Sequence, residues 1–112
     1  MTASQIVFRV VSDSMHPIIK INDNLIFESV AAKELKIFDI ILFKRHQNLV
    51  VHFIWRNQIK HNQTIITRSL KSIYLDEEPI LATEILGRVT NFKFSKFSKF
   101  IIFFKIIFYG KN

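Results

Sequence analysis

The stretch Ile40-Ile41-Leu42-Phe43-Lys44-Arg45-His46-Gln47-Asn48-Leu49-Val50-Val51-His52-Phe53-Ile54-Trp55 reads as two strands joined by a short turn. Ile40 to Phe43 is a continuous apolar run. Val50 to Trp55 is β-branched and aromatic with one histidine set inside it. Lys44 to Asn48 is polar and of hairpin length. Outward from this pair, Ile6 to Val11 and Leu25 to Glu28 predict further strands, the second after the turn signal Ile21-Asn22-Asp23-Asn24. Val30 to Leu35 suits a single helical turn or a loop. Ile59 to Asn62 and Thr64 to Thr67 suggest a second hairpin turning at His61-Asn62-Gln63. Ile85 to Val89, interrupted by Gly87, predicts a last strand or a bulge. Short strands at close spacing, with one weak helical candidate among them, predict a mainly β fold: a small antiparallel folded-sheet or barrel domain.

Composition agrees with one small domain. The 112 residues are 49% apolar and 22% charged, which supplies one packed core and excludes a disordered chain. With no cysteine, disulfides, thiolate metal sites and a cysteine nucleophile are excluded. Met1 to Gln5 is polar and Ile6-Val7-Phe8 is broken by Arg9, so no secretory signal is read there. The four histidines, His16, His46, His52 and His61, have no short ligand spacing. Neither a metal nor another cofactor is expected.

Charge divides the chain near Thr90 and Asn91. Residues 1–90 hold 11 Lys and Arg against all nine acids, whereas residues 91–112 hold five Lys, no acid and seven of the 12 Phe. The expectation is a nearly neutral body, 1–90, followed by a basic aromatic tail, 91–112. Within Phe92 to Tyr109, Lys93, Lys96 and Lys99 drift around one side of a helix, while Phe97, Phe100, Phe104 and Phe108 line another. The longest uninterrupted apolar run, Phe100 to Phe104, is far short of the ~20 residues that cross a bilayer. The tail is therefore expected to be an amphipathic helix lying on a membrane surface, which would make the protein peripherally membrane-associated.

The most specific segment is Ser12-Asp13-Ser14-Met15-His16-Pro17, followed by Asn22-Asp23. It resembles the Ser-x-Ser-Met-x-Pro box of the type I signal peptidases and the related self-cleaving repressor peptidases. The likeness continues in order. Phe38-Asp39-Ile40-Ile41-Leu42-Phe43 is similar to the family's Gly-Asp-Ile-Val stretch, Val51-His52-Phe53-Ile54 to Val-His-Arg-Ile, and Ile85-Leu86-Gly87-Arg88-Val89 to Ile-Leu-Gly-Lys-Val. Four boxes in order span most of residues 6–89.

A serine hydroxyl needs a neighbouring base to attack a carbonyl at neutral pH. The resemblance implies Ser14 as nucleophile and His52 as base, in the place that most bacterial members give to lysine and the endoplasmic-reticulum type gives to histidine. An imidazole titrating near pH ~6.5 can serve without deep desolvation. The same box implies that Ser12 donates its hydroxyl to the oxyanion, and that Met15 and Pro17 shape the turn and line the substrate groove. The family's Thr-Lys-Gly-Asp segment aligns with Thr67-Arg68-Ser69-Leu70, which removes its first aspartate. The second aligns with Asp76, leaving a Ser-His dyad or a Ser-His-Asp triad. Elsewhere Asn22 and Phe38 replace glycines, and Phe53 replaces the arginine after the base.

The function implied is a signal-peptidase-like serine endopeptidase that cleaves leader or signal segments of peptide or protein precursors. One alternative is a catalytically inactive, membrane-associated peptide-binding module. Another is a nucleic-acid-binding protein, since alternating Lys and Phe can meet phosphates and bases. The body shows no helix-turn-helix pattern or Gly-rich phosphate loop, so no nucleic-acid partner is expected.

Overall fold

The computed structural model describes residues 6–109, so the polar lead-in Met1 to Gln5 lies outside the described residues. The described residues form one antiparallel seven-stranded sheet and a C-terminal helix. The strands are β1 (Ile6–Arg9), β2 (Asn24–Glu28), β3 (Ile40–Arg45), β4 (Asn48–Gln58), β5 (Thr64–Arg68), β6 (Ile80–Leu81) and β7 (Ile85–Val89). Their order across the sheet is β1-β2-β7-β3-β4-β5-β6. The mainly β expectation is met.

The central hairpin forms where the sequence placed it. Arg45 pairs with Asn48, leaving His46 and Gln47 as a two-residue loop with φ of 50° and 71°. Two consecutive positive φ values are what a type I′ hairpin turn demands, here met without glycine. The long apolar runs of β3 and β4 are explained by burial on both faces. Leu42, Val51 and Phe53 point into one core with Val10, Met15, Leu25 and Phe27; Ile41, Phe43 and Ile54 point into a second with Leu35, Ile65 and Ile80. In β7, a side chain at Gly87 would start 2.5 Å from the Glu28 carbonyl oxygen, so the β2–β7 approach requires glycine.

Ile59 to Asn62 departs from the expected strand. β4 runs on to Gln58, and the segment is a single helical turn, α1 (Ile59–Asn62), closed by Gln63 at φ 66°. The cause is Asn57. Its side chain donates to the carbonyls of Ala32 and Leu35, both at 2.9 Å, and accepts the Ile59 N–H at 3.0 Å. This local side-chain to backbone bonding competes with the ladder and turns the chain out of the sheet. Strand β6, too short for a periodicity signal, was not legible. The Val30 to Leu35 segment contains a 3₁₀ turn at Ala32–Glu34.

The tail is helical as α2 (Lys96–Tyr109), but it is not a separate hydrophobic body. Phe94, Ile102 and Ile106 are buried in the same core as Val10, Leu42 and Phe53, and Phe103 leans on Trp55 at 5.9 Å between ring centroids. Asn91 is tied to β2: its side-chain oxygen accepts the Ile26 N–H, and its amide donates to the Asn24 carbonyl, each at 2.9 Å. The change in charge at Thr90 is therefore not a break in packing.

Candidate active site

Ser14 lies in the turn between β1 and β2, and the turn is pinned from inside. Met15 is 2% exposed in the main core, and its carbonyl accepts the Ile19 N–H at 2.9 Å. Met15 is thus a core residue rather than a lining of an open groove, which corrects the expectation for it. Pro17 is exposed and does border an apolar groove of about 260 Å³, with Ile18, Leu70 and Phe97.

The turn fills a gap in the sheet. Pairing of β4 with β5 begins at Phe53 and Arg68, so the earlier part of β4 has no β5 neighbour. In that gap the Ser14 hydroxyl donates to the carbonyl of Val51 at 3.4 Å, one residue before His52. The chain leaving β5 closes the other side, where the Lys71 N–H donates to the Ser14 carbonyl at 3.2 Å. The Lys71 ammonium also pairs with Asp13 at 2.9 Å; its hydrogen bond and charge hold that carboxyl below its ordinary range. Ser12 is exposed, its hydroxyl oxygen 3.5 Å from that of Ser14.

His52 is 8% exposed and stands on β4 opposite Ile41, so its ring enters the second core, edge-on to Phe43 at 5.8 Å. Among the described residues, its Nδ1 is buried with no hydrogen-bond partner. Burial first, and the Arg45 charge second, push its pKa down to about 4. The imidazole is therefore neutral at pH 7 and a weaker proton acceptor than a solvated histidine, so the expectation that it escapes deep desolvation is not met. No hydrogen bond joins His52 to Ser14 among the described residues; catalytic hydrogen bonds are often long or unformed without substrate.

Asp76 does not serve His52, which corrects the triad expectation. Its carboxylate accepts hydrogen bonds from Arg68, at 3.0 and 2.7 Å, and pairs with Arg56. Arg68 faces Phe53 across the ladder and lies over the Trp55 ring at 4.6 Å, on the face of the sheet away from His52. On the His52 face, Arg45 takes the Glu77 carboxylate at 3.2 Å, and the register places Glu28 there too, paired with Arg88 at 3.2 Å.

Three participants were missed from sequence: Arg45 beside His52, the Lys71 backbone behind Ser14, and Thr67, whose buried hydroxyl has no partner among the described residues. Parity would have found two of them. Arg45 lies four positions after Ile41, which faces His52, and Thr67 faces Ile54, two positions after it. Among the described residues no group of three or more His, Cys, Asp or Glu side chains is placed to hold a metal. Comparison of the chain with protein-family models, with curated proteins and with solved structures found no match.

Proposed function

We propose that the chain is a serine endopeptidase of signal-peptidase type that uses a Ser14–His52 dyad on extended segments of peptide precursors. The observation that carries this reading is the Ser14 hydroxyl on the edge of β4, 3.4 Å from the carbonyl of Val51 and one residue from a neutral imidazole whose buried Nδ1 has no partner among the described residues. Backbone geometry lends independent support. Of the three residues standing where the resembling family has glycine, Asn22 and Phe38 take positive φ, 76° and 74°, whereas Ser69 does not. Gly87, retained from the same pattern, sits where a Cβ has no room.

In this mechanism the hydroxyl rotates from Val51 toward His52, and Oγ bonds to the scissile carbonyl carbon as its proton passes to the imidazole. The carbonyl oxygen becomes an oxyanion, taken by the Ser14 N–H and the Ser12 hydroxyl. Among the described residues no acceptor holds that N–H. The imidazolium gives its proton to the departing amine, and water then cleaves the acyl ester by the same route. With Asp76 spent on two arginines, orientation of the ring falls to packing against Phe43.

The test is cleavage of internally quenched leader-type peptides, with labelling by a serine-directed fluorophosphonate. The full chain should turn over peptide and take label at Ser14, and Ser14→Ala should lose both while unfolding at the same temperature. A second reading, a peptide-binding module without turnover, is favoured by the hydroxyl pointing at Val51. Equal peptide binding by both proteins, with no cleavage or label, would select it.

A further inference from the structure

The notable surface of this molecule is the outward side of α2. The helix is fixed to the body by Ile102 and Ile106, and among the described residues the opposite side has no partner. Phe97, Phe100, Phe104 and Phe108 are 73%, 62%, 43% and 63% exposed. The last three form a ladder, with centroids 5.9 Å apart from Phe100 to Phe104 and 4.3 Å from Phe104 to Phe108, and Phe97 lies one turn before them. At about 100° per residue, these four and Ile107 fall within an arc of about 100°. Lys99 and Lys105 fall on either side of that arc, both exposed. A water-soluble surface seldom carries so long an apolar ladder without a purpose.

We propose that this face docks on an anionic lipid bilayer, with α2 lying in the plane of the headgroups. Charge complementarity selects the occupant. Within α2 the charged residues are Lys96, Lys99 and Lys105, with no acid among them, so the charge flanking the phenyl ladder is positive. A second copy laid face to face would bring these lysines together and is disfavoured by the same charges. Phenyl rings stacked on one another are also closed to intercalating bases, whereas they can enter the acyl boundary as a unit. The lysine stems allow Lys99 and Lys105 to lie along the apolar surface while their ammonium groups reach lipid phosphates. No helix among the described residues is long and apolar enough to cross a membrane, so α2 rests on the bilayer.

The experiment is co-sedimentation of the full chain with vesicles of phosphatidylcholine alone or mixed with phosphatidylglycerol, across a salt series. Binding to the anionic vesicles is expected to exceed binding to the neutral ones by at least about tenfold at low salt, and salt should narrow the gap. The double variant Phe100→Ser, Phe104→Ser alters only outward side chains and should lower binding to both vesicle types by about tenfold or more. Lys99→Glu, Lys105→Glu leaves the ladder intact and should abolish the anionic preference. Equal pelleting with both lipids by the wild type, or undiminished pelleting of the phenylalanine variant, overturns the proposal. So does a dimer in sedimentation equilibrium that the phenylalanine variant dissolves. Vesicle binding involves neither Ser14 nor His52, so its outcome is separable from that of the turnover assay.

Discussion

Asp76 is held by Arg68 through two hydrogen bonds, at 3.0 and 2.7 Å, on the side of the sheet that His52 does not face. The Arg68 side chain is only 8% exposed, so the carboxylate neutralises a guanidinium that has little water around it. Asp76→Ala should therefore lower stability by about 1–3 kcal/mol, the cost of leaving a charged donor unmatched. Peptide turnover should change little. A triad carboxylate would instead cost about 10⁴ in kcat, so kinetics and denaturant unfolding of one variant separate the two roles.

The depressed pKa of His52 makes a pH prediction with a definite sign. In the unfolded chain its imidazole titrates near 6.5, and in the folded protein near about 4. Between those values the unfolded chain binds more protons, so stability falls as pH is lowered from 6.5 toward 4, levels off below, and is unaffected by this group above 6.5. The loss across the window is roughly 3 kcal/mol. The difference between wild type and His52→Gln in urea melts at several pH values reads it directly, since carboxylates titrate alike in both. If His52 is the base, the acid limb of kcat/KM lies near pH 4. An acid limb at the ordinary histidine value would assign proton transfer to another group.

Removal of residues 91–112 should cost more than a peripheral tail would. Phe94, Ile102 and Ile106 are each less than a tenth exposed. Burying such a side chain contributes roughly 1.5–3 kcal/mol, against a total of about 5–15 for a domain. A chain ending at Thr90 is expected to lose cooperative thermal unfolding and to bind hydrophobic dye. A sharp, native-like melt of the truncated chain would show that the body closes without its helix.

The sheet was legible because its strands carry their own signals. Ile40 to Phe43 and Val50 to Trp55 are apolar on both faces, and both faces are indeed buried. The failure at Ile59 to Asn62 has a local cause: one asparagine side chain, reaching carbonyls 22 and 25 residues earlier, redirects a segment whose composition suits a strand. The site was partly legible. Ser14 and the strand bearing His52 meet, although they are 38 residues apart in sequence, because the turn plugs the gap beyond β5. Asp76 was misread because alignment along a chain carries no information about which face of a sheet a side chain takes. In the tail, helical spacing picked out the phenylalanine ladder but not the docked side, since isoleucines facing a core and isoleucines facing solvent look the same in sequence.

Phe38 ties the tail to the body through a strained backbone. Its backbone sits at φ 74°, a conformation that costs a bulky residue about 1–2 kcal/mol and that glycine would accept freely. Its ring, however, meets Phe53 at 5.8 Å, Trp55 at 6.2 Å and Phe94 at 5.7 Å, joining strand β4 to the segment that leads into α2. A single step to glycine would relieve the backbone and empty the space among three aromatic rings, at a cost of about 3–5 kcal/mol. The two positions are thus energetically coupled: with Phe94 in place, ring packing outweighs the backbone strain at residue 38. Phe38→Gly and Phe94→Ala should therefore be non-additive in a double-mutant cycle, the pair costing less than the sum of the two single losses.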